Sequence, residues 1–343
     1  MAWISSWPFW SLIGTFIGCA VLIAVFGYRL TAVADQLADR GGLGEALVGG
    51  ILLGALTSIS GSVLSVTAAW HGSADLAISN ALGGIAIQTV FLVVADIFYR
   101  KANLEHAAAS AENMMQGVLL VCLLSIFLMS TYSPEWTVWG IHSGTVVMLI
   151  GYGYGMHLVN RARKRPMWYP RQTGETREDA PDRANIRLSL KKLWTGFLVL
   201  GGVLALCGWF LNYVASAIVD QSGLEFAIMG ALFTAVATSL PELVTTVSAV
   251  KRGALTLAVS GIIGGNAYDS LFAAFADIAY REGSIYHGLD ASLIFWVPVN
   301  ILMVAILLLG MLLRERKGVG GIGFESALVI GLYVVAVATL VLR

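Results

Sequence analysis

The chain has 343 residues, of which 57% are hydrophobic and only 12% charged, with a mean hydropathy of +0.79. Soluble domains carry about 25% charged residues, so the composition excludes a soluble globular protein and points to a polytopic membrane protein. Lys and Arg (21) balance Asp and Glu (21), so net charge identifies no partner and gives no reason to expect nucleic acid; placement of charge is the informative quantity.

Ten segments are apolar enough over about 20 residues to cross the hydrocarbon as helices: Phe9–Tyr28, Ala46–Trp70, Leu76–Tyr99, Met114–Met129, Trp136–Val159, Leu193–Val219, Phe226–Val250, Thr256–Tyr280, Ala291–Leu313 and Phe324–Leu342. Tyr132-Ser133-Pro134-Glu135 closes the fourth, because the residue before a proline is pushed out of the helical region. Residues 1–16 contain no Lys or Arg, so the basic region of a secretory signal is missing. Cys19, Cys122 and Cys207 stand apart in apolar segments, which predicts helix packing and neither a disulfide framework nor a metal centre.

Orientation follows from the basic residues in the connections. Nineteen of the 21 lie in alternate connections: Arg29 and Arg40; Arg100-Lys101; ten between Arg161 and Lys192; Lys251-Arg252; and Arg314, Arg316 and Lys317. Arg281 and Arg343 fall on the other side. The basic side is assigned to the cytoplasm, which puts both termini outside. Residues 161–192, polar and rich in both charges, read as a cytoplasmic linker between two halves, 1–160 and 193–343. The basic ends of this linker suit anchoring beside lipid headgroups.

A shift of 181 residues aligns Gly27–Arg100 with Gly208–Arg281 without a gap, with 27 of 74 positions identical. Thr57-Ser58 meets Thr238-Ser239, Gly83-Gly84 meets Gly264-Gly265, and Ala95-Asp96-Ile97 meets Ala276-Asp277-Ile278. Each half holds five segments, so the second enters from the opposite face. The fold class is therefore an all-α polytopic membrane protein, ten transmembrane helices as two inverted five-helix repeats. Inverted repeats with interrupted helices are the architecture of secondary transporters, with the site at mid-membrane between the halves.

The chemistry concentrates in Ala237–Phe272. Pro241 lacks an N–H and crowds the carbonyl four residues back, which interrupts its helix. Freed carbonyls survive at membrane depth only where they are buried in protein or face a cavity. Glu242 follows with a charge, Thr238 and Ser239 add hydroxyls, Asn266 adds an amide, and Asp269 lies three residues on along the same helical face. Carboxylate, hydroxyl and carbonyl oxygens suit hard cations such as Ca²⁺ and Na⁺. Taken singly, Pro241 is a kink and each carboxyl a hydrogen-bonded structural group; together in an inverted repeat they read as an ion site. Asp96 and Asp277, each four residues before an arginine near a helix end, read instead as i,i+4 ion pairs with Arg100 and Arg281. His142 reads as a packing or interfacial residue.

The run A-T-S-L-P-E-L-V-T-T-V followed by G-G-N-A-Y-D resembles the second α-repeat of the sodium/calcium exchanger superfamily of cation antiporters. That resemblance implies alternating-access exchange of a cation against Na⁺ or H⁺, without enzymatic activity or a bound cofactor. It implies Thr238, Ser239, Glu242 and Asp269 as ligands, with Thr57 and Ser58 from the first repeat. The first repeat departs from the family pattern: Ser60 and Gly61 replace its Pro-Glu, Ile85 and Gln88 stand opposite Asn266 and Asp269, and Gly84 and Gly265 replace its serines. Ser60, Ser62 and Gln88 keep neutral oxygens, so the site carries at most two formal negative charges, which predicts weaker Ca²⁺ binding, fewer Na⁺ per cycle or a changed substrate. The readings carried forward are a Ca²⁺/Na⁺ antiporter, a proton-coupled or monovalent-cation carrier, and a non-transporting sensor on the same scaffold. A compact chain of this kind leans towards a bacterial inner membrane.

Overall fold

The computed structural model describes residues 3–41, 54–99, 102–164, 167–169, 171, 189–316, 318 and 323–342. The first half holds α1 (Phe9–Gly41), α2 (Gly54–Thr57), α3 (Ile59–Trp70), α4 (Ala74–Phe98), α5 (Leu104–Ala108), α6 (Ala111–Tyr132) and α7 (Ser143–Lys164), with a hairpin of β1 (Thr137–Val138) and β2 (Ile141–His142) before α7. The second half holds α8 (Leu190–Ser222), α9 (Phe226–Ile228), a π-helical turn over Met229–Thr234, α10 (Ala235–Thr238), α11 (Leu240–Arg252), α12 (Leu255–Asp269), α13 (Leu271–Ala279), α14 (Ala291–Leu313) and α15 (Phe324–Val341).

Among the described residues, six helices are long and apolar enough to cross a membrane: α4, α6, α8, α14, α15 and Phe9–Leu30 of α1. Phe226–Thr238 and Leu240–Lys251 pass together as one bent span, with a 43° bend. The other expected segments are divided or more polar. The start of the segment at Ala46 lies outside the described residues. The segment expected from Trp136 begins instead with the hairpin, whose register is Thr137↔His142 and Val138↔Ile141. Its two central residues, Trp139 (φ 54°) and Gly140 (φ 79°), take the left-handed conformation that suits a tight hairpin turn. The segment from Thr256 divides at Ser270 into α12 and α13.

The 181-residue shift governs the architecture as well as the sequence. It carries α1 onto α8 end for end, α2 onto α10, the start of α3 onto the start of α11, and α4 onto α12 plus α13. Even the breaks correspond. Ser58, between α2 and α3, has φ −85° and ψ 3°; its mate Ser239, between α10 and α11, has φ −95° and ψ 3°. Both sit in the sparsely allowed bridge region. Only the second break has a proline, at the first turn of α11, where a missing N–H is tolerated. The interruption therefore belongs to the shared backbone rather than to Pro241 alone.

α4 is buried nearly along its whole length, between the π-helical turn, α3, α11, α12, α14 and α15. α1 and α8 pack along each other, and each lies across the break of the other half. At those crossings stand the repeat mates Gly27 and Gly208. A β-carbon on Gly27 would overlap the Pro241 ring, and one on Gly208 would overlap the Ser60 carbonyl. Outer faces of α1 and α8 expose Ile17, Val21, Leu198, Val199 and Leu206, a surface suited to lipid.

Asp277 does not form the expected ion pair, and the expected pairing of Asp96 with Arg100 falls outside the described residues. Asp277 accepts from His142 N (2.8 Å), Thr145 Oγ1 (2.7 Å) and Ile285 N (3.2 Å), while the Arg281 guanidinium lies over the Trp70 ring at 5.4 Å. Asp96 accepts from Leu104 N (2.7 Å) and Ser326 Oγ (3.3 Å); Arg100 lies outside the described residues. Fixed backbone donors satisfy a buried carboxylate better than a flexible neighbour at i+4. These contacts correspond too: Leu104 and Ile285, and Thr145 and Ser326, are 181 apart, so each aspartate ties its own half to the last helix of the other. His142 is buried and engaged here, in line with a packing role.

The glycine crossings give a paired test. Gly208→Ala should lower stability by about 1–3 kcal/mol through overpacking against backbone. Gly202→Ala, where nothing lies within 4 Å of the added carbon, should be neutral or stabilise by up to about 1 kcal/mol through helix propensity. Thermal unfolding in detergent reads both.

Candidate cation site

Glu242 lies in the first turn of α11, three residues past the break at Ser239, and Asp269 is the last residue of α12. Both are buried, at 3% and 2% exposure, and neither forms an ion pair with a described Lys or Arg. The two are close enough for their charges to repel. Ser58 links them: its hydroxyl donates to Glu242 Oε1 at 3.4 Å and reaches Asp269 as well. Thr57 also hydrogen-bonds the Glu242 carboxylate.

Gln88, from α4, is the other bridge. Its Nε2 donates to Asp269 Oδ2 at 2.6 Å and to Ser239 Oγ at 3.1 Å. Gln88 and Asp269 are repeat mates, so this contact joins a position to its own counterpart across the relation between the halves. The same is true of Asn266, whose Nδ2 donates to the carbonyl of its mate Ile85 at 3.3 Å and to Thr89 Oγ1 at 3.0 Å. Gly84 leaves room at the centre: a β-carbon there would stand 3.8 Å from both Asp269 Oδ2 and Ser239 Oγ.

The structure thus brings Glu242, Asp269, Thr57, Ser58, Ser239 and Gln88 together. Thr238 is one step removed. Its hydroxyl donates to Thr234 O at 2.9 Å and lies 3.5 Å from Asn80 Oδ1. Asn80 was not singled out from the sequence. It donates to Gly61 O (3.3 Å) and Ser65 Oγ (3.0 Å) and accepts from Thr234 Oγ1 (3.0 Å), which braces the first-half break against the second half. A polar residue buried between a serine and a glycine pair in an otherwise apolar helix was the available signal. Gly61, the mate of Glu242, faces a ring: a β-carbon there would come 2.9 Å from Phe272 Cε2.

One feature sets this cluster apart chemically. Among the described residues, Glu242 Oε2, Asp269 Oδ1, Gln88 Oε1 and Asn266 Oδ1 are buried without a hydrogen-bond partner. Each such atom costs about 1–3 kcal/mol if it stays unsatisfied. All four are pure acceptors, two of them on carboxylates, so a positive charge satisfies them and a hydrogen-bond acceptor does not. Oxygen-only donors of this kind fit a hard cation.

An apolar helical chain with paired helix breaks and two buried carboxyls between two halves matched in sequence defines a polytopic membrane protein. A sequence profile of the sodium/calcium exchanger protein family matches residues 11–156 and 192–342, most of the chain. The chain belongs to that family. Human sodium/potassium/calcium exchanger 1 is 30% identical over 138 residues, 39% of this chain but only 13% of that longer protein. The putative antiporter CaxA of Alkalimonas amylolytica is 25% identical over 252 residues, 73% of this chain and 75% of that one. Among solved structures, the sodium-calcium exchanger NCX_Mj superposes with a TM-score of 0.65 at 17% identity, covering 97% of this chain and 98% of that one. The H⁺/Ca²⁺ exchanger CAX superposes with a TM-score of 0.70 at 10% identity, covering 96% and 86%. At these identities the two structures bear on the fold alone.

The Gly61–Phe272 contact is directly testable. Gly61→Glu alone should destabilise by about 1–3 kcal/mol through overpacking, and Phe272→Ala in the same chain should recover most of that loss in thermal unfolding.

Proposed function

We propose that the chain is a secondary active antiporter that exchanges Ca²⁺ against Na⁺, with one cation site between α3, α4, α11 and α12. The observation that carries this reading is the set of four buried oxygens, on Glu242, Asp269, Gln88 and Asn266, that have no partner among the described residues. On this reading the ten segments span a bacterial inner membrane as inverted repeats over 1–160 and 193–343, termini outside, the 161–192 linker cytoplasmic. Thr57, Ser58, Thr238, Ser239, Gln88 and Asn266 supply neutral oxygens or orient them, and Glu242 and Asp269 supply the charge.

Charge accounts for coupling. Loaded with one Ca²⁺ or two Na⁺, the site is neutral; empty, it strands two carboxylates at membrane depth, which costs several kcal/mol. The loaded states therefore interconvert between inward and outward forms and the empty state does not, which is the condition for exchange rather than leak. Differential binding alone sets the populations. α1 and α8, crossing the two breaks on glycine contacts, are the elements placed to open either side.

A proton-coupled or monovalent-cation carrier is the second reading. The absence of a carboxylate at Gly61 favours it, because a centre with two carboxyls is neutralised by two protons as readily as by a divalent ion. Against the non-transporting reading stands the retention of two buried, uncompensated carboxylates.

Purified protein in liposomes, with ⁴⁵Ca²⁺ outside and an imposed Na⁺ or H⁺ gradient, tests this. Gradient-driven uptake is expected from the parent chain. Glu242→Gln should reduce it at least tenfold while the elution profile and unfolding temperature stay near those of the parent; full flux in that variant overturns the proposal. Flux that follows pH but ignores Ca²⁺ competition replaces it with the second reading. Gly61→Glu combined with Phe272→Ala should bind Ca²⁺ more tightly than the parent, since affinity follows ligand charge count.

A further inference from the structure

The connection between α6 and α7 presents apolar side chains that the described residues leave uncovered. α6 is long and apolar enough to cross a membrane and ends at Tyr132. The chain then forms the β1–β2 hairpin and re-enters a helix at Ser143. Cross-strand partners of an antiparallel pair share a face, and faces alternate along each strand. Val138 and Ile141 therefore stand on one side, Thr137 and His142 on the other. The Ser143 N–H donates to the Trp136 carbonyl at 2.9 Å, which continues the pairing by one step and puts Trp136 on the side of Val138.

The His142 side is fixed by the second half. His142 is buried and its N–H donates to Asp277 at 2.8 Å. Its ring lies 5.2 Å from that of Tyr286 and 5.3 Å from that of His287, between centroids. His287 Nε2 donates to the Ser133 carbonyl at 2.6 Å, just ahead of the hairpin. The other side is bare. Trp136 is 68% exposed, Val138 70%, and Trp139 at the tip 93%. From Trp136 to Asn160 the sequence has no Asp, Glu, Lys or Arg. Single exposed apolar residues are ordinary, but neighbours gathered on one uncharged tip mark a contact surface.

Trp139 also strains the backbone. Its φ of 54° lies in the left-handed region, where a bulky residue is an outlier and where two-residue hairpin turns select Asn, Asp or Gly. The repeat shows the unstrained choice. Shifted by 181 residues, Val138-Trp139-Gly140-Ile141 meets Val319-Gly320-Gly321-Ile322, with glycine at both central positions. The first half has tryptophan where its mate has glycine. Strain of this kind is kept where a function uses it, and neither the strained turn nor the bare indole gains anything from water. The depth of the hairpin selects the partner. Exposed apolar residues flank it on both sides, Met129 and Tyr132 at the end of α6, Val146 and Val147 at the start of α7. The tip therefore stands where a membrane-spanning helix leaves the hydrocarbon. Trp and Tyr concentrate at that boundary, with the ring buried and its N–H or O–H hydrated.

We propose that the β1–β2 hairpin is an interfacial anchor: Trp139, with Trp136 and Val138, inserts between the phospholipids of the leaflet at the C-terminal end of α6. The opposite face of the hairpin is bonded to Asp277 of α13, so the anchor sets the depth of α6 and α13 together. The bilayer accounts for both costs at the tip. It buries the indole, and the left-handed turn aims that indole away from the protein. This contact is independent of which ions the chain carries.

The test uses the full chain in phosphatidylcholine nanodiscs, and reads amide hydrogen exchange of residues 136–142. Turn chemistry and membrane contact give Trp139→Asn opposite signs. Asn suits the left-handed position, so a hairpin standing in water would exchange more slowly or unchanged. An anchored hairpin loses the burial of its indole and should exchange about tenfold faster, with exchange in α6 unchanged. Trp139→Phe keeps an apolar ring at the tip and should stay near the parent. It also isolates the Trp139 fluorescence by difference, which keeps the test open if Trp139→Asn misfolds. That fluorescence should be quenched by phosphatidylcholine brominated on its acyl chains and shielded from aqueous iodide. Slower or unchanged exchange in Trp139→Asn overturns the proposal. So does quenching by iodide and not by brominated lipid, which leaves the tip in water. Quenching by neither overturns it as well and covers the tip with protein, a second copy of this chain if the native mass doubles.

Discussion

Two serines in the same unusual backbone conformation, Ser58 and Ser239, hold the rest of the molecule to its plan. Each ends one helical stretch and starts another inside an apolar layer, where backbone groups without partners are expensive. Such breaks persist only when neighbours over-determine them. Here the neighbours are supplied crosswise: α8 presses Gly208 on the first break and α1 presses Gly27 on the second. The long helices, the paired glycines and the buried amide of Asn80 all follow from the need to enclose two interruptions.

Once enclosed, the breaks turn polar groups inward, and the two halves have used that opportunity differently. The second keeps a glutamate at the break and an aspartate opposite it; the first has given up both positions, one to a glycine under the Phe272 ring and one to the Gln88 amide. Gln88 donates where a carboxylate would repel, so the loss of one charge is also the gain of a bond to the other.

The repeat was legible in the sequence because the two copies align without a gap, and the structure honours the same offset from α1 to α13. Glu242 and Asp269 were legible because ionisable residues stand out in apolar runs. Partners across the fold were not. Asp277 finds its donors in His142 and Thr145, more than 130 residues away, and only the packed structure places them closer than the arginine at i+4. The hairpin before α7 was hidden by aromatic residues that raise hydropathy without making a helix. Asn80 was passed over because a buried amide carries no charge to draw notice, and the filling of Gly61's space by Phe272 is a matter of packing that no spacing reveals.

The contact between Gln88 and Asp269 has a consequence for how such a centre could have arisen. On the inverted-repeat reading, positions that meet their own counterparts lie on the axis relating the halves. In an assembly of two identical half-length chains, such a position is one residue facing itself: two aspartates abut, or two glutamines do, and a donor–acceptor pair of unlike groups is forbidden by symmetry. Joining the halves in one chain removes that prohibition. An amide can then face a carboxylate on the axis, a combination open only to a single covalent chain.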